Sequence, residues 1–179
     1  IEKENADFIY SDEAVFEKNL RDINTIHFKP DFAIDNLRTY NYICHFTVFK
    51  KSLLDKVGMF RKEFDGSQDH DMIFRLTEQA ENIVHVPKVL YYWRSHPQST
   101  SQDINSKSYA IDNGIKAVNE HLKRCNIEGV AQSSEEFPTI YRLTYKIKDN
   151  PMISIIIPNK DNIKVLATCI ESIIKKSTY

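Results

Sequence analysis

From Met152 to Ile157 the chain is apolar at every position but Ser154, and four of these six residues are isoleucine. A β-branched run of this kind marks a strand covered on both faces. Residues 158–162 read as a turn, and Ile163 to Lys176 as a helix with Leu166, Cys169, Ile170, Ile173 and Ile174 on its inner side. Strand, loop and helix are how a nucleotide-binding α/β domain opens. One strand cannot bury a sheet by itself. Ahead of it, Lys148-Asp149-Asn150-Pro151 reads as a linker. The expectation is therefore two unequal parts: residues 1–147 as one domain, 148–151 as the linker, and 152–179 as the start of a second domain. The abrupt opening Ile1-Glu2-Lys3-Glu4, with no initiator Met, is what an excised fragment would show.

Composition narrows the function classes. Hydrophobic residues are 41% and charged residues 27% of the 179, with a formal net charge of -1. That is an ordinary soluble balance, and it argues against a nucleic-acid partner, which draws on a basic excess or stripe. No apolar run approaches the length of a transmembrane segment. Cys44, Cys125 and Cys169 are odd in number and never at a C-x-x-C spacing, so a disulfide framework is not expected and a reducing, cytoplasmic setting is.

Along residues 1–147 the pattern alternates between strands and helices. Residues 6–10 read as a strand ended by a polar turn at Ser11-Asp12-Glu13, and 28–42 as loop-rich because Pro30 breaks any helix. Residues 42–49 read as a strand, and Ser52 to Val57 as a short helix stopped by Gly58. Asp69 to Ala80 reads as a helix with Met72, Ile73, Leu76 and Ala80 in one stripe and Asp71 four residues before Arg75. Two strands, 84–86 and 89–93, flank Pro87. A long amphipathic helix runs from Ser106 to Cys125, 129–138 reads as a loop, and 139–147 as a strand.

Several stretches, in this order and spacing, resemble the family 2 glycosyltransferases of the tandem, polysaccharide-building sort. They are Ile9-Tyr10-Ser11-Asp12-Glu13, His27-Phe28-Lys29-Pro30-Asp31 and Asn41-Tyr42-Ile43-Cys44-His45. Next come Gly66-Ser67-Gln68-Asp69-His70-Asp71 with Arg75, and 85–94 with His96, Ser99 and Thr100. The last is 153–161. The resemblance implies an α/β chain: the C-terminal, acceptor-side part of a GT-A domain, with its Rossmann-like sheet, followed by the first strand and helix of another. It implies a nucleotide-diphosphate sugar donor, a glycan acceptor and inverting single displacement. It also implies a divalent metal, Mn or Mg, in the full enzyme but not held by this piece, which is expected to be inactive alone. The expected location is cytoplasmic, at the inner face of the membrane, and the expected product a cell-surface glycan.

By position in these motifs, Asp69 is the expected general base, taking the acceptor proton as the new bond forms. A helix start favours its ionised form, although an Asp there also serves simply as an N-cap. Asp71, Trp93, Arg94, Asn41 and His45 are the expected substrate contacts, and His96 the metal or diphosphate ligand. Each has a plainer reading: Asp71 as the partner of Arg75, Trp93 as core, Arg94 as solvated, His45 as a strand histidine and His96 as a surface one. Asp12 and Glu13 are not assigned to the metal, because the family's metal-binding D-x-D lies further upstream. Asn159, Lys160 and Asp161 sit where the family loop meets a nucleotide base. Two rivals remain. One is a non-catalytic acceptor-binding or assembly module, consistent with Ala14 and Gln68 where acids are common. The other is a metal hydrolase on Asp69, His70, Asp71, His85 and His96. The 152–157 strand is also expected to seek a partner, with a strand-exchanged dimer as one outcome.

Overall fold

The strand expected at 6–10 does not stop at Ser11 but runs on as β1 (Phe8–Phe16) in the computed structural model, which describes residues 5–95, 108–149 and 151–178. The reason is pairing. β4 (Ile83–Arg94) lies parallel to β1 along its whole length. The other edge of β1 is shared by β3 (Thr47–Phe49) at its first half and β2 (Ile23–His27) at its second, both antiparallel. With both edges occupied, β1 becomes the interior strand, and Ser11, Asp12 and Glu13 are buried in it.

β4 replaces the two strands expected around Pro87. Ser11 pairs with Val86, Asp12 with Val89 and Glu13 with Tyr91, so Pro87, Lys88 and Leu90 are extra residues on the β4 side. A bulge is where a strand tolerates proline, because no ladder N–H is lost there. Two further elements were not expected: β2, and the short helix α1 (Ile34–Thr39) inside the segment read as a loop. Conversely, the strand expected over 42–49 is reduced to β3.

The helices pack the sheet into a core. α2 (Lys51–Val57) ends at Gly58, whose φ of 78° is the left-handed conformation that glycine adopts without strain. α3 (Gln68–Thr77) is buried from His70 to Thr77, all round rather than on one stripe. It packs against α4 (Ser108–Arg124), whose Val118 belongs to the same core. Phe8, Tyr10, Leu37, Ile43, Phe74 and Leu76 are at most 1% exposed, and each contributes about 1.5–3 kcal/mol by leaving water. A hairpin of β5 (Gly129–Ser133) and β6 (Tyr141–Tyr145) packs on α4, so part of the expected 129–138 loop is strand. The fold of this unit, Ile1–Tyr145, is mixed α/β.

Lys146–Tyr179 forms a separate unit. α5 (Ile163–Lys176) has the bounds its periodicity indicates, with the Asn162 side chain accepting the Val165 N–H at 3.3 Å as an N-cap. The packing differs from expectation: no α5 residue is buried, and 152–157 forms no strand, with Met152 and Ile156 94% and 90% exposed. A strand needs partner edges, and none among the described residues is paired with this run. No described helix is long and apolar enough to cross a membrane.

Candidate functional site

The segment 41–45, between α1 and β3, carries the centre of the site. Asp69 is the second residue of α3, two past the cap position, which is Ser67. The N-cap role weighed for Asp69 is therefore not the one it has. Its Oδ1 accepts the His70 N–H at 2.8 Å, and its Oδ2 accepts the thiol of Cys44 at 3.0 Å. Asn41 Nδ2 in turn donates to Cys44 Sγ at 2.8 Å. Burial holds the Cys44 thiol pKa well above the ordinary value, and the neighbouring Asp69 charge adds to this, so sulfur keeps its proton and serves as a donor. Asn41 Oδ1 is buried without a hydrogen-bond partner among the described residues.

Glu13 anchors the same segment from β1. Its carboxylate accepts the His45 N–H at 2.9 Å, His45 Nδ1 at 2.8 Å and His27 Nδ1 at 2.9 Å, with Lys29 Nζ at 3.8 Å. Burial by itself would raise its pKa, but the hydrogen bonds from His45 and His27 outweigh burial and bring it down to about 2. Lys29 Nζ also donates to the carbonyls of Ile43 and Cys44. His45 is packed against Trp93, 4.7 Å between ring centroids, and Tyr91, 5.6 Å. Two cavities adjoin here. One of about 220 Å³ is lined by Asp69, Cys44 and His45 with an apolar wall including Met59, Phe60 and Met72. The other, of about 560 Å³, is lined by Glu13, Asn41, His45 and Trp93 among others.

Four of the expected site residues, Asp69, Asn41, His45 and Trp93, thus line these two cavities. Two do not join them. Asp71 is fully buried, with Oδ1 on Arg61 Nη2 at 2.5 Å and Oδ2 on Arg75 Nη2 at 2.9 Å. Burial raises its pKa, and the two guanidinium groups overcome that and lower it. Its assignment as a substrate contact is corrected: no oxygen is left for a ligand, and the i,i+4 partnership with Arg75 is what forms. Arg94 stacks over Phe16 at 5.2 Å. Successive strand residues face opposite sides of a sheet, so Arg94 points away from the face on which Trp93 meets His45. His96 lies outside the described residues.

Among the described residues, Glu13 and Asp12 do not offer a divalent metal a site. Glu13 is saturated by protein donors, and Asp12 Oδ1 already takes His85 Nε2 at 2.8 Å and the Lys29 N–H at 2.9 Å. The hydrolase set does not converge either, since His70 Nε2 is turned to the Leu37 carbonyl at 2.7 Å and Asp71 to its arginines. Among the described residues one group has metal-ligand spacing, Glu78, His121 and Cys125. There Arg124 holds both oxygens of Glu78 at 2.7 Å, and Arg38 Nε donates to His121 Nε2 at 3.2 Å. Those two guanidinium groups supply the positive charge that a metal would bring.

Cys44, Glu13, His27 and Lys29 were not assigned roles from sequence, although all lie in the motif stretches. Their contacts join positions up to 32 residues apart, a relation that no local spacing encodes.

No protein-family profile matches the chain. It is 38% identical over 178 residues to the uncharacterized protein y4gI of Sinorhizobium fredii, covering 98% of this chain and 19% of that protein. It is 34% identical over 152 residues to the O-antigen biosynthesis protein RfbC of Myxococcus xanthus, covering 85% of this chain and 12% of that protein. The chain therefore spans less than a fifth of the length of either relative.

Proposed function

We propose that this chain is the acceptor-side part of a glycosyltransferase of the family 2 kind, acting in surface-polysaccharide synthesis. It works with a nucleotide-diphosphate sugar donor and a glycan acceptor, with inversion, on the cytoplasmic side of the membrane. The observation that carries the reading is the setting of Asp69. The buried carboxylates of Glu13 and Asp71 are taken by cationic or imidazole partners. Asp69 alone of the three has an oxygen whose cross-chain partner is a thiol, and a cavity opens beside it. A thiol is a weak donor, so a sugar hydroxyl can take its place on Oδ2.

In that arrangement Asp69 Oδ2 takes the hydroxyl proton as the acceptor oxygen bonds to the anomeric carbon of the donor. The bond from that carbon to the diphosphate breaks, and its electron pair leaves with the diphosphate. The His70 N–H on Oδ1 fixes the carboxylate and leaves Oδ2 aimed at the acceptor. Similarity to an O-antigen biosynthesis protein over most of the chain supports the polysaccharide setting.

Asp69→Asn in the native protein that contains this chain tests the reading. Removing a general base costs about 10²–10⁴-fold in rate, and the melting temperature should change little because Asp69 makes no ion pair among the described residues. Full polysaccharide production by the variant would instead favour a non-catalytic acceptor-binding or assembly module.

A further inference from the structure

We propose that Glu13 and His45 form an orienting couple in which His45 Nε2 receives a hydrogen bond from a hydroxyl of the acceptor sugar. This deepens the transferase reading and rests on it for the identity of the ligand.

The argument starts at Glu13, whose side chain is 4% exposed. Its two oxygens meet three nitrogens, the His45 backbone N–H and the Nδ1 atoms of His45 and His27, with the Lys29 ammonium beside them, and its pKa is brought down to about 2. A carboxylate so surrounded is ionised and has no proton to give. The proton between Glu13 and the imidazole therefore sits on His45 Nδ1. In a neutral imidazole the other nitrogen is then a lone pair, so Nε2 is an acceptor.

The couple is also held rigidly. Trp93 and Tyr91 pack beside the ring. The His45 backbone N–H is fixed on the same carboxylate, and the carbonyl just before it is held by Lys29. Yet 37% of the side chain stays exposed, and it lines both cavities. Nε2 has no partner among the described residues. The contrast is with His85 and His121, each of which uses both ring nitrogens within the protein. An imidazole that serves only the fold needs no such preparation; one that must present a fixed lone pair to a ligand does. An open lone pair suits a hydroxyl donor and offers nothing to a phosphate oxygen, which is itself an acceptor.

The test is imidazole nitrogen NMR on the 179-residue chain with labelled histidine, at about pH 8.5, two units above the ordinary imidazole pKa of about 6.5. The chain is titrated with methyl glucoside, galactoside, mannoside and rhamnoside. The expected result is a His45 signal with the proton on Nδ1, a mixture of tautomers in Glu13→Gln, and a shift of Nε2 with at least one glycoside. His45→Asn keeps an N–H for Glu13 but has no Nε2 lone pair. It should weaken that glycoside at least about tenfold, the effect of one lost hydrogen bond, as read from the backbone amides of Asp69 and His70. A proton on Nε2, or a charged ring at this pH, overturns the couple. So does a glycoside that moves the Asp69 and Cys44 signals but leaves Nε2 and the affinity of His45→Asn unchanged, an outcome that spares the transferase reading. Binding of no glycoside at all would sink both.

Discussion

Asp71→Ala should be among the most destabilising single substitutions outside the apolar core. Asp71 has no exposed surface, and its two guanidinium partners differ in theirs: the Arg75 side chain is 8% exposed and that of Arg61 29%. Arg75 cannot turn to water, because Nη1 donates to the Val57 carbonyl at 2.6 Å and Nη2 to that of Met59 at 3.0 Å. Arg61 retains Glu120 at 2.9 Å and the face of Phe64 at 4.2 Å. The cost is therefore that of one stranded buried charge, about 3–5 kcal/mol, with little added by the more exposed pair. Urea unfolding followed by circular dichroism measures it. If the charge is the cause, adding Arg75→Met to Asp71→Ala should cost no more than Asp71→Ala alone. The sign with pH is fixed as well. The folded pKa of Asp71 lies below its unfolded value, so its contribution is complete at neutral pH and disappears as pH falls through the folded pKa. The gap between wild type and Asp71→Ala should narrow accordingly on acidification. A loss under about 1 kcal/mol, or full additivity in the double variant, would refute the reasoning.

Glu13, held at about 2 against an ordinary 4.5, contributes about 3 kcal/mol of stability by linkage. That contribution is present above the unfolded value and is lost as pH falls toward 2; Glu13→Gln should flatten this part of the stability profile, and an unchanged profile would count against the network. Gly114→Ala places a Cβ 1.8 Å from the Tyr141 hydroxyl; the gain in helix propensity, about 1 kcal/mol, is outweighed by overpacking of about 1–3 kcal/mol, so the melting temperature should fall rather than rise. Cys44, with its raised pKa and its hydrogen bond to Asp69, should react with iodoacetamide more slowly than the exposed Cys125; equal rates in native protein would mean that the thiol is not held as described.

What could be read in the sequence follows from how locally it is encoded. α5 and the Gly58 stop of α2 rest on periodicity and on one residue's backbone preference, and both appear with the expected bounds. The local pattern ends β1 early, because Ser11-Asp12-Glu13 looks like a turn. The chain instead buries these charges, since His85, His27, His45 and Lys29 arrive from other segments to compensate them. The local pattern of α3 shows one apolar stripe, because nothing local says that Arg75 and Asp71 neutralise each other on the opposite face. The 152–157 run carries strong strand propensity, but a strand exists only where another edge meets it. Asn41, His45, Asp69 and Trp93 were named from motif position, and the folded chain brings them around Cys44. The thiol that links Asn41 to Asp69 had no signal except its place between Ile43 and His45.

The most direct test of the central claim is transfer of labelled sugar from a panel of UDP- and dTDP-sugars, with manganese, to a lipid-linked glycan extract. The catalyst is the native protein containing this chain, wild type against Asp69→Asn. The account predicts transfer by the wild type from at least one donor, and a loss of about 100-fold or more in the variant at unchanged donor affinity. Equal transfer by both proteins would contradict the role of Asp69, and no transfer from any donor by the wild type would contradict the assignment of a glycosyltransferase.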